Sequence, residues 1–337
     1  MDRFILHSRF YHSRLSEPNQ KIYREIYDSW VMGKSEVYLN LEGDGFSAYK
    51  GLSLHDLVTY IIADNPHLFH LETSQIEYKR KGHIVSILTL PIYTKSEYEM
   101  LYKKLLMRVS TIKKSLDIYS TQHEKVKFIH DELADNINYC KGANDKKSQR
   151  EVHTIVGALL NRACVCDGYS RAMRLLCDYS GISCIVVNGI GVSSGGQERH
   201  AWNIIKLREN TYHVDVTWDS NLSNEEYVSD MYYMRSDEVA AREHIWDRSF
   251  YPPCLTDYGE RKTVYTYKEL NELIQTMLKN PPEIYSFELS KDIMDKSRIE
   301  MCIKEALSQH CNTCSRQAKV EYSLHEPMRY VKIKVYS

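Results

Sequence analysis

Ile22, Ile26 and Trp30 recur at helical spacing within residues 17–34, and Gly33 supplies a stop, so a helix is expected there. Alternation over residues 36–41 predicts a short strand. Residues 53–62 read as a helix closed by the turn Asp64-Asn65-Pro66. Two strands are expected next, over 68–78 and 84–92, split by a turn at Lys79-Arg80-Lys81-Gly82. The pattern is helical again over 96–116 and 121–136. Thr121 opens the second of these helices with Glu124 three residues on, the spacing of a capping box. The polar stretch 141–150 reads as a loop.

Ala172, Leu175, Leu176 and Tyr179 predict a helix from near Cys166 to Gly181, its C′ residue. Two strands, 199–207 and 211–218, are expected to pair around a turn at Glu209-Asn210. After Pro252-Pro253 the order is helix (266–278), strand (283–289), helix (295–308), strand (318–324) and strand (329–335). A chain of 337 residues has room for two or three domains. The pattern divides it into an N-terminal α+β accessory unit (1–120), a central region (121–255) and a C-terminal α/β accessory unit (256–337).

Composition narrows the function classes. Hydrophobic residues at 43% and charged residues at 26% are ordinary globular usage, which excludes a disordered or collagen-like chain. The 44 Lys+Arg against 45 Asp+Glu leave a formal charge of −1, so no global field draws in nucleic acid or acidic lipid. The 26 tyrosines against 7 phenylalanines read first as half-buried aromatic packing and second as sugar or peptide contact surface. No signal peptide or membrane span is recognisable, and a cytoplasmic protein is expected. Nine irregularly spaced cysteines suit a reducing compartment. His310 with Cys311-Asn312-Thr313-Cys314 is the one metal-like or redox-like spacing, but no second pair completes a zinc set. Neither a metal nor a cofactor is expected.

The chemistry gathers in the centre. A cysteine in the first turn of a helix meets unpaired N–H groups and the positive end of the helix dipole, which favour negative charge and can hold an oxyanion. Such a thiol also needs a histidine with an orienting acceptor. The hairpin puts His200 and Asp215 toward one end, with the register open by about two residues. Spacing thus permits a Cys–His–Asp relay, with Cys164 and Cys166 competing for the nucleophile. His213 reads as a strand neighbour of Asp215, and His130 as a helix-surface residue.

Three segments, Cys166-Asp167-Gly168-Tyr169-Ser170, His200-Ala201-Trp202-Asn203 and Tyr212-His213-Val214-Asp215-Val216-Thr217-Trp218-Asp219, resemble the core signature of bacterial transglutaminase-like proteins. Flanking pieces around Ile129-His130-Asp131-Glu132-Leu133 and Tyr233-Met234-Arg235-Ser236-Asp237-Glu238 extend the likeness over about residues 121–255. The resemblance implies a papain-like α+β core, with a nucleophile-bearing helix packed on an antiparallel sheet. It selects Cys166 as nucleophile, with His200 as base and Asp215 as its orienter. Tyr139 is implied near the oxyanion, and Trp202 and Trp218 as walls.

The expected activity is acyl transfer at a peptide, protein or peptidoglycan-type amide. Hydrolysis ranks ahead of crosslinking because no calcium loop is evident. The rival from another class is a catalytically silent binding or scaffold module. An arylamine N-acetyltransferase shares the relay, but no element argues for a CoA ligand.

Overall fold

The computed structural model describes residues 9–40, 52–72, 76–140, 145–259, 261–279, 284–314 and 319–336. The chain forms two compact units, one of residues 1–235 and 245–255, the other of residues 236–244 and 256–337.

In the first unit, helix Glu17–Val31 carries Pro18 in its first turn, where the missing N–H costs nothing. It stops before Gly33, whose φ of +78° is open to glycine. Helix Leu54–Asp64 starts from a Ser53/Asp56 capping box. These helices bury Ile26, Trp30, Leu57 and Ile61 with Val37, Leu39 and Ile87 of a three-stranded antiparallel sheet. Strand Ile84–Leu88 lies in its middle, between Glu36–Asn40 and Glu77–Lys81. Helices Lys95–Leu116 and Gln122–Asn136 open with capping boxes at Thr94/Glu97 and Thr121/Glu124. Their apolar faces join helix Cys166–Tyr179 in a larger core containing Leu105, Val109, Ile129, Leu133, Tyr169 and Leu175.

That third helix packs against an antiparallel meander of strands Cys184–Ser193, Gly196–Leu207 and Asn210–Val214. Buried Asn203 on the middle strand ties the two layers together. Its Nδ2 donates to the Ser170 carbonyl at 3.0 Å and to the Ile185 carbonyl at 3.3 Å. A helix bearing Cys166 on an antiparallel sheet is the α+β arrangement expected. The second unit is a four-stranded sheet in the order Thr263–Val264, Ile284–Leu289, Tyr330–Tyr336, Lys319–His325. Helices Tyr267–Lys279 and Lys296–Cys314 cover its apolar face with Leu270, Ile274, Ile299 and Ala306.

Several expectations need correction. Residues 68–72, with Leu68, Phe69 and Leu71 buried, form only a turn at 69–70 and an isolated bridge between Leu71 and Pro91; the strand is only Glu77–Lys81, so Lys79, Arg80 and Lys81 belong to it rather than to the turn. It is an edge strand, where exposed cations discourage further pairing. Residues 146–151, expected in a loop, form helix Lys146–Glu151, started by Asp145 accepting from the Lys147 and Ser148 N–H groups. That helix buries no residue, so it has no apolar period to read. The hairpin turn is Arg208-Glu209, one residue earlier than expected, with Arg208 left-handed at φ +54°. Strand Cys184–Ser193 was not anticipated. Residues 41, 73–75, 141–144, 283 and 318, at the ends or within expected elements, lie outside the described residues, as do residues 1–8. So do the side chains of Cys311 and Cys314.

Candidate active site

Cys166 is the first residue of its helix. The preceding Val165 makes no side-chain cap, so the N-cap residue does not consume the first-turn N–H groups. The thiol is partly exposed, whereas Cys164, two residues earlier, is completely buried. Burial, then the neighbouring Cys166, raises the Cys164 thiol well above its ordinary pKa. Gly168 lets the first turn of the helix press against Cys164 and the Val152 backbone. A Cβ there would lie 2.5 Å from the Cys164 Cβ and 2.8 Å from the Val152 carbonyl oxygen.

His200 lies on the middle strand, opposite Gly189. Its Nε2 donates to Asp215 Oδ2 at 2.6 Å, leaving Nδ1 for the Cys166 thiol, which hydrogen-bonds the ring. Burial opposes a charged ring, but the Asp215 carboxylate and then the thiol outweigh it and push the His200 pKa up to about 10.

Asp215 is not a strand residue as expected. The strand ends at Val214, and Asp215 is the N-cap of helix Val216–Leu222, with Oδ1 accepting from the Trp218 N–H at 3.1 Å. One oxygen therefore holds the imidazole while the other starts the helix.

Trp218 stacks on the His200 ring with centroids 4.9 Å apart and planes 23° apart. Gly191 makes room for it: a Cβ there would come within 2.8 Å of the indole. Trp202 is also near-parallel to His200, at 6.0 Å, but it is fully buried. Its Nε1 donates to His213 Nδ1 at 2.9 Å. That bond, with Trp246 packed at 4.6 Å against the His213 ring, accounts for His213 as a core residue. Tyr139 pairs with Cys164 on a short parallel bridge. Burial, followed by the charge of Cys166, raises its phenol pKa, so the side chain belongs to this neighbourhood.

His130 is not on a helix surface. It is completely buried, between Asp131 and Asp219. Asp219 was quoted within a motif but given no role.

The raised His200 pKa carries a sign for stability. The folded state binds this proton more tightly than the unfolded chain. The stabilisation is complete below about pH 6.5 and is lost as pH rises through about 10. The denaturant midpoint is therefore expected to fall across that window more steeply in the wild type than in His200→Ala. Parallel slopes would contradict it.

Residues 111–218 match the transglutaminase-like superfamily. No curated protein matches the chain significantly. Among solved structures, a candidate cysteine protease from Cytophaga hutchinsonii is similar at 15% identity and a TM-score of 0.29, over 42% of this chain and 61% of that one. A TGase aligns at 14% identity and 0.31, over 58% of this chain and 53% of that one. Menin, in a structure revealing its binding site for the Mixed Lineage Leukemia protein, aligns at 14% and 0.27, over 67% and 45%. This chain thus spans less than two thirds of each of these proteins. The matched stretch, residues 111–218, holds Cys166, His200 and Asp215, and it is similar to the core of the transglutaminase-like superfamily.

Proposed function

We propose that the protein is a cysteine-nucleophile enzyme that transfers the acyl group of a peptide, protein or peptidoglycan-type amide, and that water is the usual acceptor. The observation that carries this reading is the His200 ring, bonded to Asp215 through one nitrogen and facing the Cys166 thiol with the other. The sulfur, as thiolate, attacks the amide carbonyl carbon. The oxyanion forms beside the first-turn N–H groups of helix Cys166–Tyr179, with the Tyr139 hydroxyl as a further donor. As the C–N bond breaks, the proton on His200 passes to the leaving amine, and a thioester remains. Water then gives a proton to His200 as its oxygen attacks the thioester. The C–S bond breaks, the acid leaves, and the thiolate–imidazolium pair returns.

Trp218 walls the site and keeps the ring flat against it. A lysine amine in place of water would make the same machinery a crosslinker. In this proposal the chemistry belongs to residues 121–255, while 1–120 and 256–337 serve substrate recognition. The setting is the bacterial cytoplasm, which suits nine cysteines.

Labelling with a thiol-reactive acyl probe tests the nucleophile. Cys166→Ala is expected to abolish labelling and turnover, and Cys164→Ala to keep both if it folds. The reverse pattern would overturn the assignment.

A further inference from the structure

Among the buried ionisable groups that the relay does not use is a histidine held between two carboxylates. His130, on helix Gln122–Asn136, is completely buried, and each ring nitrogen faces a carboxylate oxygen. Nδ1 lies 2.8 Å from Asp131 Oδ1, and Nε2 lies 3.1 Å from Asp219 Oδ2. Ionised carboxylates only accept, so both contacts are hydrogen bonds when the ring is an imidazolium. Around it, the Tyr233 ring packs at 4.9 Å. Lys127 bonds Asp131 and lies over Tyr233, and His123 flanks Tyr233 at 5.9 Å. Burial opposes the charge, but Asp131 and Asp219 outweigh it and hold the His130 pKa above its ordinary value.

The far side of this ion pair leads to the relay. Asp219 Oδ1 accepts from the Ser229 hydroxyl at 2.7 Å and the Tyr232 N–H at 3.1 Å. The Tyr232 carbonyl in turn accepts the Asp215 N–H at 3.1 Å. The Tyr232 ring meets the edge of Trp218 at 5.0 Å, and Asp219 shares its short helix with Trp218. Both supports of the His200 imidazole, the Asp215 carboxylate and the Trp218 indole, therefore sit on a segment pinned by Asp219.

We infer that His130 is a positioning residue for acyl transfer: as an imidazolium it neutralises Asp219, and so fixes the helix and loop that aim Asp215 and Trp218 at His200. This deepens the proposed function and rests on it. Neutralising His130 leaves the buried Asp219 carboxylate without a counter-charge, so the segment relaxes and Asp215 loses its aim.

The test is the pH profile of Cys166 alkylation by iodoacetamide, alongside the charge state of His130 by nitrogen-15 NMR in the intact wild-type protein. NMR is expected to show both ring nitrogens protonated at pH 7. His130→Gln is expected to slow alkylation at pH 7 by about tenfold and to move the profile up by about one pH unit. Combining it with Asp219→Asn is expected to restore most of the rate, because the new amides can bond each other without charge. A neutral His130 ring in the wild type would overturn the inference, whether or not the variant folds. So would a folded His130→Gln with the wild-type profile, or a double variant no faster than the single one. A wild-type Cys166 that reacts like an ordinary thiol would instead sink the acyl-transfer reading, and with it any positioning role.

Discussion

Asp215→Asn is expected to slow acyl transfer by about a thousandfold or more while leaving the protein folded. The reason is an acceptor shortage. The carboxylate uses Oδ2 for His200 at 2.6 Å and Oδ1 for the Trp218 N–H at 3.1 Å. An asparagine has one oxygen for these two donors. If that oxygen keeps the helix cap, its NH₂ faces His200 Nε2, and the ring must present that nitrogen as an acceptor. The proton then moves to Nδ1, the nitrogen needed to take one from sulfur. If the oxygen keeps the ring, the helix loses its cap, about 1 kcal/mol, and the imidazolium loses its counter-charge. Either way, turnover falls far more than stability does. A turnover assay beside a denaturation curve separates them, and activity within tenfold of the wild type would contradict this account.

Gly168→Ala is expected to destabilise the protein and to displace the start of the nucleophile's helix. Its methyl would sit 2.5 Å from the Cys164 Cβ, 2.8 Å from the Cys164 sulfur and 2.8 Å from the Val152 carbonyl oxygen. The Val152 oxygen is not free to retreat, because it accepts the Val165 N–H at 3.0 Å. Relief requires the first turn of the helix to lift, and Cys166 moves with it. Overpacking of this kind costs about 1–3 kcal/mol. A lowered denaturant midpoint with lost acyl-probe labelling is the expected result. An unchanged midpoint would mean that the helix start is looser than its contacts indicate.

These positions also show what the sequence could and could not disclose. Helices with an apolar period and a capping box, such as Gln122–Asn136, were legible because their signals are local. The relay residues were legible as three motifs in order, and the resemblance chose Cys166 where spacing left Cys164 open. The burial of Cys164 under Gly168 supplies the physical reason for that choice.

The element holding Asp215 was misjudged, because alternation over residues 211–218 continues the strand pattern. The backbone instead turns where the carboxylate finds the Trp218 N–H. Strand Cys184–Ser193 stayed hidden because Gly189 and Gly191 lower its β-propensity. Their missing Cβ atoms are the space that Trp202 and Trp218 fill. His130 looked like a surface residue among the charged neighbours of its helix. Its partner Asp219 lies 89 residues away, and no local pattern reports such a pair.

The central claim is best tested with unactivated amides, which an inert thiol leaves intact. The wild-type protein would be quenched during reaction with a library of peptides and glycan-peptides, digested, and mapped by mass spectrometry. This account predicts an acyl group in thioester linkage on Cys166, whose amount collapses in His200→Ala. An acyl group on another cysteine, or none on any while substrate is consumed, would contradict it.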